Sequence, residues 1–325
     1  MVRNCVRWIN KHRKQAACFA LGLLLLALNG VAFMHAHAMT HFVVDGRRTP
    51  KPDKLSAVEK VKVLFTGVRV PKPVITDDPA NHGLPFTNHR FAGPSDMEYE
   101  GWHIPCDHSR GLCILFHGYA GCKSSLLAEA LAWQDLGYET FLVDFRGCGN
   151  SSGHTTTIGY HEADDVAAAF QYARRKLTQR PIVLYGQSMG AAAILRAVAF
   201  YDLQPRAVVL ECPFDRMLST AKNRFSVIGL PPFPFAHLLV FGGGVQHGFS
   251  GFGHNPVDYA EQVVCPVLLM SGERDTRVTK EQVTAVFNNI AGEKQLVFFP
   301  ALGHESCLQE RTGQSKRLIS HFLHD

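Results

Sequence analysis

Pro181-Ile182-Val183-Leu184-Tyr185-Gly186-Gln187-Ser188-Met189-Gly190-Ala191-Ala192-Ala193-Ile194-Leu195-Arg196-Ala197 is the stretch on which the reading of this chain turns. An apolar run of strand length leads into G-x-S-x-G, and an alanine-rich run of helical character follows. A serine on so tight a strand-to-helix turn projects its hydroxyl above the sheet, and the flanking glycines let the chain pack around the bend. The start of the helix then offers a backbone N–H, that of Met189, to a developing negative charge.

The alternation extends outward in both directions. Strand-length apolar runs occur at Leu112–Phe116, Thr140–Val143, Ile182–Tyr185, Ala207–Glu211, Val267–Met270 and Leu296–Phe299. Helix-length runs occur near Ser124–Leu136, Tyr160–Leu177, Met189–Tyr201, Lys280–Ile290 and Ser306–Leu323. Repeated strand–helix alternation with continuous apolar strands predicts an α/β fold with a mostly parallel sheet covered on both faces. Ahead of it, Thr87–Phe91 and Met97–Ile104 flank the turn-like Gly93-Pro94-Ser95-Asp96 and read as an antiparallel hairpin. The rhythm breaks between Phe214 and Pro256, in a stretch rich in Phe, Leu and Pro that ends in Gly242-Gly243-Gly244. It is too long for a simple connection, so residues 215–255 read as a short apolar cap beside Ser188, with the glycine run as its hinge.

The amino terminus is different in kind. Arg3, Arg7, Lys11, Arg13 and Lys14 precede any acidic residue, and without them 28 basic residues face 28 acidic ones. The formal charge of +5 therefore belongs to the leader, and no basic surface for nucleic acid is implied. The uncharged stretch Ala16 to Met34 is long enough to cross a bilayer core of roughly 30 Å. It reads as a single-pass anchor with its basic end inside and the remainder on the non-cytoplasmic (periplasmic or extracellular) side. The alternative is a signal peptide cleaved near Ala36-His37-Ala38, which would release a secreted protein. The resulting division is a basic leader at 1–15, a transmembrane segment at 16–34, a connecting segment at 35–83 in which Ala57–Gly67 forms a short helix or strand, and the main domain at 84–325. Nine cysteines without a C-x-x-C pair suggest neither a disulfide scaffold nor a zinc site.

A serine hydroxyl needs a base, a carboxylate to orient that base, and donors for an oxyanion. His304 follows the last strand and Asp275 the strand before it, both in loops at the carboxyl ends of strands where ligands meet such sheets. Asp215 and, more weakly, Glu273 compete for the acid's role. His117-Gly118-Tyr119-Ala120-Gly121 after an early strand offers the Tyr119 N–H as a second oxyanion donor. Gly121-Cys122-Lys123-Ser124 superficially suggests a phosphate loop but lacks the glycine before the lysine.

Taken together, these residues resemble the α/β-hydrolase superfamily over about Leu84 to Asp325. The H-G-Y-A-G loop, the loop Asp144-Phe145-Arg146-Gly147-Cys148-Gly149-Asn150-Ser151-Ser152-Gly153, Asn255-Pro256 with Tyr259-Ala260, and the short cap are similar to the serine-aminopeptidase-like and lysophospholipase-like branch, with membrane-anchored bacterial members the nearest likeness. The resemblance implies Ser188 as nucleophile, Asp275 as acid, His304 as base, and the Tyr119 and Met189 amides as oxyanion hole. It implies a serine hydrolase that needs no metal or organic cofactor and acts on a small, hydrophobic acyl substrate such as a carboxylic ester. A serine exopeptidase or a thioesterase is the alternative, and a non-catalytic binding protein the rival from another class.

Overall fold

The computed structural model describes residues 2–44, 46–50 and 54–324, with the backbone alone for 2–10. Its centre is an eight-stranded sheet ordered β1-β2-β4-β3-β5-β6-β7-β8. The strands are β1 (Thr87–Ala92), β2 (Glu98–Ile104), β3 (Leu112–Phe116), β4 (Glu139–Val143), β5 (Ile182–Gln187), β6 (Ala207–Glu211), β7 (Val267–Gly272) and β8 (Lys294–Phe299). The first two form the antiparallel hairpin, β2 joins β4 antiparallel, and every pairing from β4 to β8 is parallel.

The apolar runs are continuous because both faces are covered. Leu112, Ile114 and Phe116 of β3 enter one core, while Cys113 and Leu115 enter the other. In β5, Ile182 and Leu184 go to the first face, Val183 and Tyr185 to the second. Successive side chains of a strand point to opposite faces, so neither face can be polar here. The helices, in chain order, are α1 (Val2–Thr40), α2 (Ala57–Thr66), α3 (Leu127–Asp135), α4 (Glu162–Lys176), α5 (Met189–Phe200), α6 (Met217–Val227), α7 (Phe235–His247), α8 (Pro256–Tyr259), α9 (Lys280–Asn289), α10 (Cys307–Glu310) and α11 (Thr312–His324). Ala163, Val166 and Phe170 of α4 and the alanines of α5 fill the first core; Leu127 and Trp133 of α3 and Ile319 of α11 fill the second.

The interval between β6 and β7 holds α6 and α7, which pack together through Ala221, Ala236 and Val240. Gly242-Gly243-Gly244 lies inside α7 and not in a hinge. Its use is close approach: a Cβ on Gly242 would sit 3.2 Å from the Phe33 Cα of α1. Gln246 of α7 donates its Nε2 to the Phe33 carbonyl at 2.9 Å. Helix α1 accordingly does not stop at Met34. It runs to Thr40, with Ala32, Ala36 and Thr40 buried while Leu23, Leu24 and Leu26 are exposed. Asn29, a polar residue within the apolar run, is absorbed by the helix, its side chain donating to the Leu25 carbonyl at 2.8 Å. The span 11–40 is one helix long and apolar enough to cross a membrane. The expected last helix is divided at Arg311 into α10 and α11.

Candidate active site

Ser188 sits between β5 and α5 at φ 52° and ψ −107°, left-handed backbone that a β-carbon disfavours. Strain of this kind persists only where surrounding contacts impose it. Here the turn is clamped on both sides. The Ser188 amide donates to the Glu211 carbonyl of β6 at 2.8 Å. Gly190 presses on the end of β3, where a Cβ would come within 2.5 Å of the Phe116 carbonyl oxygen, so only glycine fits.

His304 reaches the serine from the loop after β8. Its Nε2 accepts from Ser188 Oγ at 3.0 Å, and its Nδ1 donates to Asp275 Oδ2 at 2.6 Å. The other carboxylate oxygen, Oδ1, accepts the amides of Arg277 at 2.8 Å and Val278 at 2.9 Å. Burial pushes the Asp275 carboxyl upward, but the His304 contact and these two amides prevail and hold it below its ordinary value. An ionised, immobilised carboxylate fixes the imidazole proton on Nδ1 and leaves Nε2 as acceptor for the hydroxyl. The competing acids lie elsewhere. Asp215 accepts from Gln282 Nε2 at 2.7 Å, and Glu273 pairs with Lys280 at 3.0 Å on the surface.

The loop after β3 lies beside the serine, where a Cβ on Gly118 would be 3.8 Å from Ser188 Cβ. Among the described residues, neither the Tyr119 nor the Met189 amide donates a hydrogen bond. Two unspent donors flanking a strained serine are what an oxyanion would need. His117 is structural: it is buried, its Nε2 accepts the Phe145 amide at 3.2 Å, its Nδ1 donates to the Gly118 carbonyl at 2.9 Å, and burial lowers its pKa. The Tyr119 hydroxyl donates to the Met39 carbonyl in the last turn of α1 at 2.6 Å, and burial raises its pKa to about 12.

Three supports were not evident from the sequence. Lys123, in the stretch that superficially suggests a phosphate loop, is fully buried and paired with Glu100 at 3.0 Å and with Asp144. Asn150 donates to the same Glu100 at 2.6 Å, so its amide is spent on holding the glycine-rich loop. The Glu211 carboxylate accepts the Cys307 and Leu308 amides at 2.9 Å each, tying the start of α10, just past His304, to the strand beside the serine. Burial, then the nearby Glu129, pushes Glu211 up to about 7. Cys212 Sγ lies within 4.8 Å of ligand-type atoms of Asp275 and His304. The donor set does not suit a metal, because Asp275 is committed to two amides and an imidazole, and His304 to a carboxylate and a hydroxyl.

Comparison with known proteins agrees with this architecture. A family model described as serine aminopeptidase, S33, matches residues 107–228. The lysophosphatidylserine lipase ABHD12 of Danio rerio is 23% identical, over 82% of this chain and 77% of its own length. The uncharacterized protein YqkD of Bacillus subtilis is 24% identical, over 72% of this chain and 78% of its own. Among solved structures, the esterase Pf2001 of Pyrococcus furiosus superposes with a TM-score of 0.67 at 23% identity, covering 78% of this chain and 96% of that one. With that sheet order, a strained serine at the β5–α5 turn and structural neighbours of this kind, the chain has the α/β-hydrolase fold.

Proposed function

We propose that the protein is a serine hydrolase that cleaves a carboxylic ester of a hydrophobic acyl group through an acyl-enzyme. The observation that carries this reading is the hydrogen-bonded series from Ser188 Oγ through His304 to Asp275, at 3.0 and 2.6 Å. Its members come from three separate loops at one end of the sheet. In the first half-reaction His304 Nε2 takes the hydroxyl proton as Ser188 Oγ attacks the acyl carbon. The Tyr119 and Met189 amides hold the oxyanion of the tetrahedral intermediate. As that intermediate collapses, the imidazolium returns the proton to the departing alkoxide and Ser188 keeps the acyl group. Water then enters, gives its proton to His304 and attacks the ester carbonyl, which frees the acid and restores the serine. Asp275 stays ionised throughout and stabilises the imidazolium.

Residues 84–325 form the hydrolase domain in this reading, and 215–255 its cap. The apolar helix acts as a single-pass anchor, with its basic leader cytoplasmic and the hydrolase on the opposite side. An ester of a hydrophobic acyl group is favoured over a peptide by the apolar packing of the cap, while the competing acids Asp215 and Glu273 are engaged by Gln282 and Lys280. Fluorophosphonate labelling of the detergent-solubilised full chain, followed by peptide mapping, tests the nucleophile. Label on Ser188 that is lost in Ser188→Ala is expected; a folded protein that takes no label overturns the reading. Turnover of p-nitrophenyl esters well above that of aminoacyl p-nitroanilides is expected, and the reverse order would make the enzyme an exopeptidase.

A further inference from the structure

Helix α1 meets the rest of the molecule before it is long enough to have crossed a bilayer. Residues 11–27 are exposed all round, and burial against protein begins at Ala32. The last charge of the leader is that of Lys14. From Ala16 to Ala32 the helix rises only ~24 Å, at ~1.5 Å per residue, against a hydrocarbon core of roughly 30 Å. Whatever packs on residues 29–34 therefore stands at the depth of the membrane boundary. Leu238 and Phe241 of α7 face Asn29, Gly30 and Phe33 across a shallow cleft. Further along, Gln246 donates to the Phe33 carbonyl at 2.9 Å and accepts from His37 Nδ1 at 3.1 Å. The contacts thus advance together along the two helices. The amino-terminal end of α7, with the cap tip before it, points back along α1 toward the bilayer. Helix α2 also ends against α1: His35 Nε2 donates to the Leu64 carbonyl at 3.0 Å, and a Cβ on Gly67 would lie 2.7 Å from Ala38 Cβ.

Both elements are apolar where they are exposed. Val58, Val61, Leu64 and Phe65 fall on one side of α2 at helical spacing, Lys60 and Lys62 border that side, and none of the helix's residues is buried. Between α6 and α7 the cap tip exposes Val227, Ile228, Leu230 and Phe233, the last to 73%. The Phe233 ring stands 5.3 Å from that of His237, which stands 6.5 Å from Phe252, itself exposed. No Asp, Glu, Lys or Arg occurs from Phe225 to Val257, in a chain of which 19% is charged. Scattered apolar side chains on a surface need no explanation, but a contiguous exposed patch free of charge marks a contact. Depth selects the occupant, because the patch lies level with the part of α1 that has to be in hydrocarbon. The lysines bordering α2 fit the same place, with their stems along the apolar side and their ammonium groups at lipid phosphates.

We propose that the cap tip, the first half of α7 and the apolar side of α2 are seated in the leaflet from which α1 emerges, at the boundary between headgroups and acyl chains. The folded domain then rests on the bilayer in one orientation and does not swing from a tether. This rests on the reading of α1 as an anchor and adds to it a second membrane contact that does not span.

The test uses the full chain in phosphatidylcholine vesicles whose acyl chains carry bromine at a shallow or a deep position. Tryptophan is introduced singly at exposed positions, which leaves the core untouched, and its emission is taken as the difference from the wild type. Leu24→Trp reports on the anchor, and Phe233→Trp and Val61→Trp on the proposed contact. Phe200→Trp, exposed at the end of α5 remote from Ser188, is the control. Shallow bromine is expected to remove at least half of the added emission from Phe233→Trp and Val61→Trp, and deep bromine to act most on Leu24→Trp. Neither should touch Phe200→Trp. If Leu24→Trp is quenched while Phe233→Trp and Val61→Trp answer only to aqueous iodide, the proposal is overturned and the anchor stands. If those two answer to neither bromine nor iodide, protein covers the face, a second copy of the chain included, and the proposal is again overturned. Quenching at one of them alone overturns the part assigned to the other element. If Leu24→Trp itself escapes bromine, the anchor reading has failed and takes the proposal with it.

Discussion

Ser188 and Glu211 are joined through the main chain, the serine amide donating to the glutamate carbonyl at 2.8 Å. The same Glu211 uses its carboxylate to hold the amides of Cys307 and Leu308, three and four residues past His304. One residue thus ties the serine turn to the histidine loop. Its weakness is electrostatic. Burial and Glu129 lift Glu211 to about 7, while burial raises Glu129 itself. A folded-state pKa above the ordinary carboxylate value means that the folded protein keeps a proton the unfolded chain has released. That contribution is complete below about 4.5 and is lost as the pH rises toward 7. Glu129→Gln removes the opposing charge. It should stabilise the protein by about 1–2 kcal/mol at pH 8 and by much less at pH 5. Thermal unfolding at the two pH values reads the difference, and an equal shift at both would refute the coupling.

Asp275→Asn is expected to separate catalysis from folding. The amide can keep its carbonyl toward the Arg277 and Val278 amides, so stability should change little. Its NH2 group then faces His304 Nδ1, where the ring must accept, and the imidazole proton moves to the side of Ser188. With Nε2 no longer a base, kcat for an ester should fall by about 10³-fold or more. A variant that keeps a tenth of the wild-type rate would remove Asp275 from the mechanism proposed above.

His254 makes the protein acid-sensitive. It is fully buried, donates from Nε2 to the Ile158 carbonyl at 3.0 Å, and is held neutral by burial, with its pKa down to about 4. His247 is lowered to about 4 as well, by burial and by its histidine neighbours. A depressed folded-state pKa means that the unfolded chain takes up the proton first. The contribution is complete above about 6.5 and is lost as the pH falls toward 4, on the order of 3 kcal/mol for His254. His254→Gln should be less stable than the wild type at pH 7 and should lose less between pH 7 and pH 5. Parallel denaturant titrations check this, and identical slopes against pH would count against it.

The strands were legible because burial on both faces leaves a continuous apolar run, and their alternation with helix-length runs points to a covered parallel sheet. His304 and Asp275 were legible by position alone, each following a strand at the end of the sheet where Ser188 sits. What escaped the sequence depends on partners far along the chain. Gly242-Gly243-Gly244 reads as a hinge until Phe33, some two hundred residues earlier, is placed against it. The continuation of α1 through Asn29-Gly30 to Thr40 depends on burial of Ala32, Ala36 and Thr40, which local propensity does not encode. The pairing of Lys123 with Glu100 and Asp144 joins three loops whose proximity the sheet order decides.

The contact between α1 and α7 carries a last prediction. A Cβ at Gly242 would lie 3.2 Å from Phe33 Cα, so any larger side chain must push the two helices apart. Helix α1 is also the acceptor for Tyr119, through the Met39 carbonyl at 2.6 Å. Displacing α1 therefore loosens the loop that presents the Tyr119 amide. Gly242→Leu should cost about 1–3 kcal/mol, lowering the thermal midpoint by several degrees, and should reduce ester turnover as well. Gly22→Leu is the control, since nothing lies within 4 Å of a Cβ there although the residue is on the same helix. Tyr119→Phe separates the two effects: it removes only the hydroxyl and its bond to Met39, at about 1 kcal/mol. If α1 steadies the site, Tyr119→Phe should lower kcat severalfold while lowering the midpoint by only about 2 °C. A kcat equal to the wild type in Tyr119→Phe would leave α1 as a tether with no part in the chemistry.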